Sequence, residues 1–450
     1  MNKNIFRAYD IRGIYPAELN EGIAFKLGAA FGTINPGKVA VGCDSRLSSP
    51  SLKQKLIEGL VSTGVSVFDI GVVTTPITIF STSFYNLDGG IIVTASHNPK
   101  DYNGLKIFTR DGVPVGYENG LNKVEELIKS GKFSKGSGKI EKKSVIDDYE
   151  KYLIGKIKIK SPSKLKIVID AGNGASGKIH SKILKKIGME VVELCCEPDG
   201  NFPNHLPDPL KPENLVDLQN KVVEEKADMG FAFDGDGDRF VVVDEKGKPI
   251  PENHVFILLI KHTLQEFKNS KIVYNISNSM AVKDSIERYK GIPVECRVGH
   301  TFVQQVMKKE DAQFGGELSG HYFFKETFMG DDGIFAGLKL LEFLINSKTS
   351  FEREFAEIPK YYSAVAEDIT IPIKESEKFV FIENLKRDLK NKGFKTNEMD
   401  GVKILFEDGW ILFRPSNTTP IIRYGYESKT RGGFERLKSI VDEIIKRVPK

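Results

Sequence analysis

Short apolar runs alternate with helix-length segments along most of this chain, and the alternation recurs three times. Each recurrence contains a first strand, a helix, a second strand that begins with Gly, and a third strand that runs into a polar loop. The first strands are Lys38–Gly42, Lys166–Asp170 and Lys271–Tyr274. Val- and Ile-rich strands that alternate with helices are typical of βαβ units around a largely parallel sheet. The pattern therefore predicts an α/β fold with three similar repeats.

The C-terminal part of the chain has a different pattern. Glu407-Asp408-Gly409 separates the apolar runs Val402–Phe406 and Trp410–Phe413, and is a turn typical of a β-hairpin. Amphipathic segments flank this hairpin at about 375–391 and 432–447. We therefore expect a small C-terminal α+β domain. The predicted domains span residues 1–146, 147–250, 251–361 and 362–450.

Composition narrows the class of protein. The chain has 450 residues, of which 40% are hydrophobic and 28% charged, and its net charge is +4. These values indicate a multidomain globular protein that does not bind nucleic acid. The four cysteines have no metal-ligand spacing, the first residues form no signal peptide, and the apolar run Val255–Ile260 is too short for a bilayer. We expect a cytoplasmic protein with no membrane partner.

The third strand of each repeat ends in a loop that could carry chemistry. These loops are Thr94–Pro99, Asp234–Arg239 and Gly316–His321. Ligands of open α/β sheets bind at the carboxyl ends of the strands. We therefore expect the three loops to line one cleft.

The loop with the clearest chemistry holds Asp234, Asp236 and Asp238, separated by glycines. Carboxylates at this spacing can turn toward one point, and a divalent cation makes that concentration of negative charge tolerable. Mg²⁺ is favoured over Ca²⁺, because Arg239 occupies the position at which a Ca²⁺ loop requires Gly and the flanking segments are strands. The alternative, an acidic turn in solvent, fits poorly between two apolar strands.

Ser96 is the candidate nucleophile in the first loop. The adjacent His97 suggests a Ser–His pair, but neighbouring side chains generally point apart and the chain has no G-x-S-x-G turn. An acyl-transfer hydrolase is therefore disfavoured. Lys106 and Arg12 are candidate cations for a group that Ser96 carries. Taken alone, the Ser-His-Asn-Pro segment is better explained as a simple turn at Asn98-Pro99.

Two further segments suit a phosphorylated sugar, and one points to another class of enzyme. Arg414–Pro420 offers a guanidinium, hydroxyls and an amide for phosphate oxygens, and Gly316–His321 offers groups for sugar hydroxyls. Ordinary polar turns explain both equally well. Gly172–Gly177, followed by Glu193, matches a dinucleotide-binding fingerprint. A nicotinamide-dependent dehydrogenase therefore remains an alternative, although a tight strand–helix turn is the simpler interpretation.

Together these motifs closely resemble the α-D-phosphohexomutase family, and within it the phosphomannomutase/phosphoglucomutase group. The resemblance runs nearly end to end, through the segments Phe6–Gly13, Thr94–Pro99, Asp101–Lys106, Asp234–Arg239, Gly299-His300, Gly316–His321 and Arg414–Pro420. It implies four domains around a central cleft, three of them alike with mixed sheets. It also implies a Mg²⁺-dependent enzyme that interconverts hexose 1-phosphate and 6-phosphate through a phosphoserine and a hexose 1,6-bisphosphate.

The resemblance assigns roles to individual residues. Ser96 would be phosphorylated and would hold Mg²⁺ together with Asp234, Asp236 and Asp238. The implied catalytic residues are Ser96, Arg12, Lys106, His97 and His300. The implied substrate-binding residues are Tyr9, Arg239, Glu317, Ser319, His321, Arg414, Ser416, Asn417 and Thr418.

Three questions stay open at this stage. Some family members carry a basic residue where this chain has Tyr274–Ser279. A cationic contact to the distal phosphate is therefore either missing here or supplied from elsewhere, with Lys325 as a candidate. Mannose, glucose and glucosamine phosphates are all possible substrates, and Glu317-Leu318-Ser319 favours the first two. A metal-dependent phosphatase could use the same phosphoserine. We expect a monomer or weak homodimer whose partners are small-molecule sugar phosphates.

Overall fold

The computed structural model describes residues 5–159, 164–347, 351–365, 369–416 and 419–449. The chain folds into two compact units. Unit 1 consists of Met1–Pro251 and Gly320–Phe351, and unit 2 consists of Glu252–Ser319 and Glu352–Lys450. The predicted loop Gly316–His321 is therefore divided, because its glutamate and serine belong to unit 2 and its histidine belongs to unit 1.

The first sheet of unit 1 has six strands in the order β1-β5-β4-β2-β3-β6. The strands are β1 (Ile11–Ile14), β2 (Lys38–Cys43), β3 (Ser66–Val72), β4 (Gly89–Val93), β5 (Tyr102–Thr109) and β6 (Ile140–Lys142). The helices are α1 (Glu21–Ile34), α2 (Ser49–Val61), α3 (Thr75–Phe84), α4 (Asn122–Ser130) and α5 (Ile146–Gly155). β2 is parallel to β3 and β4, whereas β5 is antiparallel to β1 and β4. The β4–β5 hairpin therefore carries the polar loop 94–101 at its tip.

The second sheet of unit 1 has five strands in the order β11-β10-β9-β7-β8. The strands are β7 (Lys166–Asp170), β8 (Glu190–Leu194), β9 (Met229–Phe233), β10 (Phe240–Asp244) and β11 (Pro249–Ile250), with helices α6 (Gly177–Lys186) and α7 (Pro212–Glu225). β7 is parallel to β8 and β9, and β9 is antiparallel to β10. β9 is buried along its whole length, as is most of β10. This apolar hairpin gives the acidic loop 234–239 a rigid base.

Unit 2 begins with a third repeat of the same kind. Its parallel strands are β12 (Lys271–Asn275), β13 (Ile292–Cys296) and β14 (Phe314–Gly316), and its helices are α8 (Glu252–Glu266), α9 (Met280–Arg288) and α10 (His300–Glu310). β12 lies between β13 and β14. The predicted first strand of this repeat is confirmed, and it extends one residue further, to Asn275.

The chain then contributes β15 (Tyr322–Phe324) and α11 (Gly333–Ser347) to unit 1. Every residue of α11 from Gly333 to Leu344 is buried, which is typical of a helix inside a core. Its lysine, Lys339, pairs with Glu326 at 3.1 Å and Glu342 at 3.2 Å. The segment therefore packs as an internal part of unit 1.

The C-terminal part of unit 2 is an antiparallel sheet in the order β16-β21-β20-β19-β18, with β17 also paired to β21. The strands are β16 (Tyr362–Ala364), β17 (Thr370–Pro372), β18 (Thr396–Asn397), β19 (Val402–Phe406), β20 (Gly409–Pro415) and β21 (Ile421–Ser428), and the helices are α12 (Phe351–Ala356), α13 (Lys378–Asn391) and α14 (Arg431–Ile445). Leu385 of α13 and Val441 of α14 share one buried cluster with Ile411 of β20. The predicted hairpin between β19 and β20 is confirmed.

The predicted fold class is confirmed: three similar α/β repeats precede a C-terminal α+β domain. The predicted domain limits at residues 146, 250 and 361 stay predictions. Among the described residues, none of the helices combines the length and the apolar character that crossing a bilayer requires.

Candidate active site

Ser96 lies in the loop between β4 and β5 and is almost completely buried. Its φ of +52° is in the left-handed region, which residues with side chains rarely adopt. The Ser96 backbone N–H donates to Thr94 Oγ1 at 2.9 Å, and its Oγ donates to Asp234 Oδ2 at 2.6 Å. The candidate nucleophile and the acidic loop, which are 138 residues apart in the chain, are therefore in contact.

A buried guanidinium holds the loop around Ser96. Arg46, shortly after the end of β2, is 1% exposed, and its Nε lies 3.1 Å from Asp44 Oδ2. The same carboxylate oxygen accepts a hydrogen bond from Thr94 Oγ1 at 2.7 Å. The two terminal nitrogens of Arg46 donate to four carbonyl oxygens, those of Ser96 (2.7 Å), Asn98 (2.6 Å), Pro99 (2.6 Å) and Tyr102 (3.1 Å). Arg46 was missed in the sequence, where its only signal is a polar Asp-Ser-Arg segment after a strand.

His97 does not point away from Ser96. Its Nδ1 lies 3.1 Å from Ser96 Oγ, so the expectation that the two side chains diverge is wrong, because the left-handed backbone at Ser96 brings them to the same side. Burial, together with the cations Arg239 and Arg12, lowers the pKa of His97 well below its ordinary value. The ring is therefore neutral. Ser96 nevertheless donates directly to Asp234, which is not the arrangement of a hydrolase, where a carboxylate orients the histidine.

The three aspartates of the acidic loop converge as the sequence predicts. Asp234, Asp236 and Asp238 are buried, and one oxygen of each lies within 4.8 Å of the others. Lys106 of β5 reaches into this cluster, where its Nζ donates to Asp236 Oδ2 at 2.7 Å and also to Asp238. Thr75, at the start of α3, donates its hydroxyl to Asp236 Oδ2 at 2.6 Å. Thr75 is a second contact that sequence analysis missed.

The electrostatics of this cluster favour a further cation in addition to Lys106. Burial, with the neighbouring Asp238 and Asp236, raises the pKa of Asp234 well above its ordinary value. Burial opposes the charge on Lys106, but Asp236 and Asp238 outweigh it and raise the pKa of the lysine. Asp236 Oδ1 and Asp238 Oδ1 are buried and accept no hydrogen bond, an arrangement that is costly without a partner. Carboxylate oxygens of this kind fit a hard divalent cation such as Mg²⁺.

His321 extends the cluster on the side of Asp238. Its Nδ1 lies 2.8 Å from Asp331 Oδ2 and 3.6 Å from Asp238 Oδ1, and its Nε2 accepts a hydrogen bond from Arg239 Nε at 3.2 Å. Burial lowers the pKa of His321, but the carboxylates of Asp238 and Asp331 raise it by more, so the pKa lies above its ordinary value. The structure therefore places this predicted sugar-binding residue beside the acidic loop, in contact with Arg239 at the end of the loop.

Arg12 of β1 lies on the other side of the Ser96 loop. It donates through Nη1 to Asn98 Oδ1 at 2.8 Å and through Nη2 to Asp10 Oδ2 at 2.6 Å. Its Nε is buried and has no hydrogen-bond partner among the described residues, which is compatible with a site for an anion. Tyr9, just before β1, is half-buried.

Unit 2 holds the other predicted substrate-binding residues. Glu317, directly after β14, is buried, and its Oε1 accepts hydrogen bonds from Asn275 Nδ2 at 3.0 Å and from the Gly299 N–H at 2.8 Å. These contacts fix the carboxylate next to the start of α10, where His300 is the first residue. Ser319 and His300 are both half-buried.

Two arginines face each other on the C-terminal sheet. Arg414 of β20 and Arg423 of β21 are directly opposite in register, and both line a small cavity that Ser277 also lines. Like charges at opposite positions destabilise a sheet, so the pair indicates a place for an anion. Asp400 Oδ2 lies 3.9 Å from Arg414 Nε. Sequence analysis missed Arg423, and Lys325, suggested instead, is an exposed residue of unit 1.

The turn after β20 completes this part of unit 2. Ser416 is buried, and its Oγ lies 2.8 Å from Thr419 Oγ1. The predicted residues Asn417 and Thr418 lie outside the described residues.

The glycine-rich segment after β7 does not support a dinucleotide site. A Cβ on Gly174 would lie 2.6 Å from the carbonyl oxygen of Gly235, and one on Gly177 would lie 2.4 Å from that of Cys196. The glycines therefore allow close packing of backbones. Glu193, which would bind the ribose, is engaged by Lys178 and Lys185. The interpretation as a tight strand–helix turn is the one that the structure supports.

Family models match the chain in four successive segments. They describe phosphoglucomutase/phosphomannomutase alpha/beta/alpha domain I at residues 3–135, domain II at 147–247, domain III at 251–362 and the C-terminal domain at 344–444. These segments together cover most of the described residues of both units.

Relatives match along their whole length. The chain is 38% identical over 450 residues to phosphomannomutase/phosphoglucomutase of Pseudomonas aeruginosa, covering 99% of this chain and 96% of the relative. It is 35% identical to phosphoglucomutase of Neisseria gonorrhoeae, and the match covers 100% of this chain and 98% of that relative. A crystal structure of a phosphoglucomutase/phosphomannomutase family protein from Burkholderia thailandensis matches with a TM-score of 0.91 at 34% identity, covering 98% of this chain and 97% of that one. The chain therefore belongs to the phosphoglucomutase/phosphomannomutase family of phosphohexomutase enzymes.

Proposed function

We propose that this chain interconverts the 1- and 6-phosphates of mannose and glucose through a phosphoserine at Ser96 and a hexose 1,6-bisphosphate. The observation that carries the proposal is the 2.6 Å hydrogen bond from Ser96 Oγ to Asp234 Oδ2, at the edge of three clustered carboxylates. Relatives named phosphomannomutase/phosphoglucomutase, phosphoglucomutase and phosphomannomutase support both sugars.

The acidic loop is proposed to hold Mg²⁺ through Asp234, Asp236 and Asp238, together with the phosphoryl oxygens carried by Ser96. The unsatisfied Oδ1 atoms of the last two aspartates support this assignment. When bound, Mg²⁺ would neutralise the charge that is shared over the oxygens of the transferring phosphoryl group. Lys106, whose Nζ is 2.7 Å from Asp236 Oδ2, supplies a fixed positive charge beside the same group.

Phosphoryl transfer requires one bond exchange and one proton transfer. The bond from Ser96 Oγ to phosphorus breaks while a bond forms from phosphorus to a free hydroxyl oxygen of the hexose monophosphate. The proton of that hydroxyl ends on Ser96 Oγ, so atoms and charge balance. His97 can relay this proton, because its neutral ring has Nδ1 3.1 Å from Ser96 Oγ. The bisphosphate then reorients, and Ser96 takes the other phosphoryl group by the reverse exchange.

Residues of unit 2 are proposed to recognise the part of the substrate that does not react. Arg414 and Arg423 would bind the distal phosphate, since a dianion offsets the repulsion between two opposed guanidinium groups. Glu317 would accept hydrogen bonds from sugar hydroxyls, because Asn275 and Gly299 hold its carboxylate in one orientation. A single phosphate clamp serves both orientations of the bisphosphate, since each presents a phosphate at the distal end.

A Ser96→Ala variant tests the proposal. We expect loss of nearly all turnover of mannose 1-phosphate and glucose 1-phosphate in coupled assays, and loss of the phosphate that mass analysis of peptide 91–106 detects in the wild-type protein. Ser62→Ala is the matched control, because the Ser62 hydroxyl donates to a neighbouring carbonyl oxygen, that of Gly59, at 2.7 Å. Near-normal turnover by Ser96→Ala would contradict the proposal. Accumulation of inorganic phosphate at the rate of substrate loss would instead identify a phosphatase.

A further inference from the structure

A second cluster of potential metal ligands lies in unit 1, at residues that the proposed reaction does not use. Asp170, Cys195 and His205 offer a carboxylate oxygen, a thiol sulfur and a ring nitrogen, and these atoms all lie within 4.8 Å of one another. Asp170 ends β7 and Cys195 follows β8, and these two strands are parallel neighbours. Their carboxyl ends therefore meet at one edge of the sheet, which is the usual position of ligand sites in such sheets.

The ring of His205 is oriented as in a metal ligand. Its Nδ1 lies 2.9 Å from the carbonyl oxygen of Leu206, which can only accept, so Nδ1 carries a hydrogen. The other nitrogen, Nε2, lies 3.1 Å from Asp170 Oδ2. In the neutral ring Nε2 directs a lone pair at a carboxylate, so a cation is required between them, either a proton or a metal ion. A backbone carbonyl that fixes the far nitrogen is common around metal-ligating histidines.

Backbone contacts hold the other two ligands in place. Asp170 Oδ1 accepts a hydrogen bond from the Gly172 N–H at 2.9 Å, which leaves Oδ2 directed at the cluster. Cys195 has a left-handed φ of +48°, and its carbonyl oxygen accepts from the Asn173 N–H at 2.7 Å. The Cys195 side chain is only partly buried. The cluster is therefore both pre-organised and accessible to an ion.

The neighbouring residue Cys196 differs from Cys195 in its burial and contacts. Cys196 is buried, and its Sγ contacts the carbonyl oxygens of Leu194 at 3.3 Å and Ile169 at 3.6 Å. Burial raises the pKa of its thiol to about 12. Cys196 is therefore a structural thiol, and it provides a matched control for Cys195.

We propose that Asp170, Cys195 and His205 bind a thiophilic divalent cation of the Zn²⁺ class, at a site separate from the acidic loop. Sulfur, nitrogen and oxygen ligands together are typical of Zn²⁺, and three protein ligands leave the fourth tetrahedral position to water. Binding converts the Cys195 thiol to thiolate and replaces any proton on His205 Nε2, and both protons are released to solvent. The acidic loop offers only oxygen ligands, which are hard donors, and it therefore favours Mg²⁺.

The site also adjoins the reaction machinery through the backbone. The turn that begins at Gly172 continues to Ala175, whose N–H donates to the carbonyl oxygen of Gly235 in the acidic loop at 3.0 Å. A cation held by Asp170 would therefore fix a turn that supports the loop of Asp234 and Asp236.

The experiment is equilibrium dialysis of metal-free full-length protein against Zn²⁺ in a large excess of Mg²⁺, with bound zinc measured by mass spectrometry. We expect one tightly bound Zn²⁺ per chain. Cys195→Ser should weaken binding by more than the roughly 10–100-fold that loss of an outer-shell partner costs, whereas Cys196→Ser should retain it. Asp236→Asn should also retain it, because that residue belongs to the acidic loop.

Cobalt gives an independent measurement on the same variants. Co²⁺ should produce a thiolate-to-cobalt charge-transfer band in the wild-type protein and in Cys196→Ser, but not in Cys195→Ser. Circular dichroism establishes that each variant is folded. The proposal is overturned by an absence of Zn²⁺ in the wild-type protein, by unchanged binding in Cys195→Ser, or by loss of binding in Asp236→Asn. The first of these outcomes would leave a protonated His205–Asp170 ion pair as the sole function of the cluster.

Discussion

Replacement of Arg46 by lysine tests how the fold holds Ser96, the proposed nucleophile. The arginine is 1% exposed, donates to four carbonyl oxygens and pairs with Asp44. Lysine keeps the positive charge but has one nitrogen, so it cannot reach acceptors that extend from Ser96 to Tyr102. Arg46→Lys should therefore leave buried carbonyl groups without donors.

The expected magnitude follows from these contacts. A hydrogen bond from a charged donor contributes about 1.5–3 kcal/mol, and at least two of the four carbonyl contacts are lost. We expect Arg46→Lys to lower the free energy of unfolding by about 3–5 kcal/mol, a large part of the roughly 5–15 kcal/mol of a typical protein. Loss of loop order should also lower kcat, by about 100-fold for a displacement of about 1 Å at Ser96. KM should change little, since Glu317 and the proposed phosphate clamp of Arg414 and Arg423 lie in unit 2.

Urea unfolding and steady-state mutase assays measure both effects. Arg110→Lys is the control, because Arg110 is 58% exposed and contacts Asp88 at 3.5 Å, and a surface pair contributes at most about 1 kcal/mol. That variant should keep wild-type stability and turnover. Wild-type kcat in Arg46→Lys, at a temperature where the variant is fully folded, would refute a positioning role for the guanidinium.

Three further predictions address the metal, the phosphate and the pH dependence. Asp236→Asn should abolish the Mg²⁺ dependence of turnover and most of kcat, which a Mg²⁺ titration measures; full activity without metal in the wild-type protein would rule out the acidic-loop site. Arg423→Ala should raise KM for glucose 1-phosphate by about 10-fold or more with a smaller change in kcat, since a charged hydrogen bond contributes about 1.5–3 kcal/mol; an unchanged KM would remove Arg423 from the clamp. Asp332, whose pKa burial raises to about 7, binds a proton in the folded chain that the unfolded chain has already lost, so wild-type stability should fall as pH rises from about 4 to 7. Asp332→Asn should remove this fall and be more stable than wild type above pH 7 by on the order of 4 kcal/mol. Urea unfolding at several pH values measures both proteins, and free energies of unfolding that change with pH in parallel would contradict the prediction.

The sequence predicted the elements of the fold because hydrophobic periodicity reports burial directly. β7 agrees residue for residue with the predicted first strand of the second repeat, and the hairpin between β19 and β20 follows from its Asp-Gly turn. The meeting of Ser96 with Asp234 was also predictable in outline. Both lie at the ends of corresponding strands in two repeats, and a repeated topology places corresponding loops on corresponding edges.

The residues that were missed make contacts that no local pattern records. Arg46, Thr75 and Arg423 each follow or join a strand. The carbonyl groups that Arg46 contacts lie at least 50 residues away, and the carboxylate that Thr75 contacts lies 161 residues away. Arg423 can be recognised as a candidate phosphate ligand only from the strand register, which places it opposite Arg414. The orientation of His97 depends on a positive φ at Ser96, which nothing in the residue types of the loop requires. Such features depend on tertiary structure and cannot be predicted from the local sequence pattern.

Burial of the acidic loop explains why this part of the fold needs such extensive support. Three carboxylates removed from water are costly, and replacing buried charges by well-packed apolar groups is often neutral or stabilising. The apolar strands β9 and β10 bury the loop that they carry, and this burial destabilises the charged aspartates unless a cation compensates their charge. Lys106 supplies one positive charge to Asp236 and Asp238, which leaves negative charge in the cluster for the proposed divalent ion to compensate. In the proposed reaction, the same burial that destabilises the loop would exclude water from the phosphoryl group, so the cost in stability and the capacity for transfer without hydrolysis would have one physical origin.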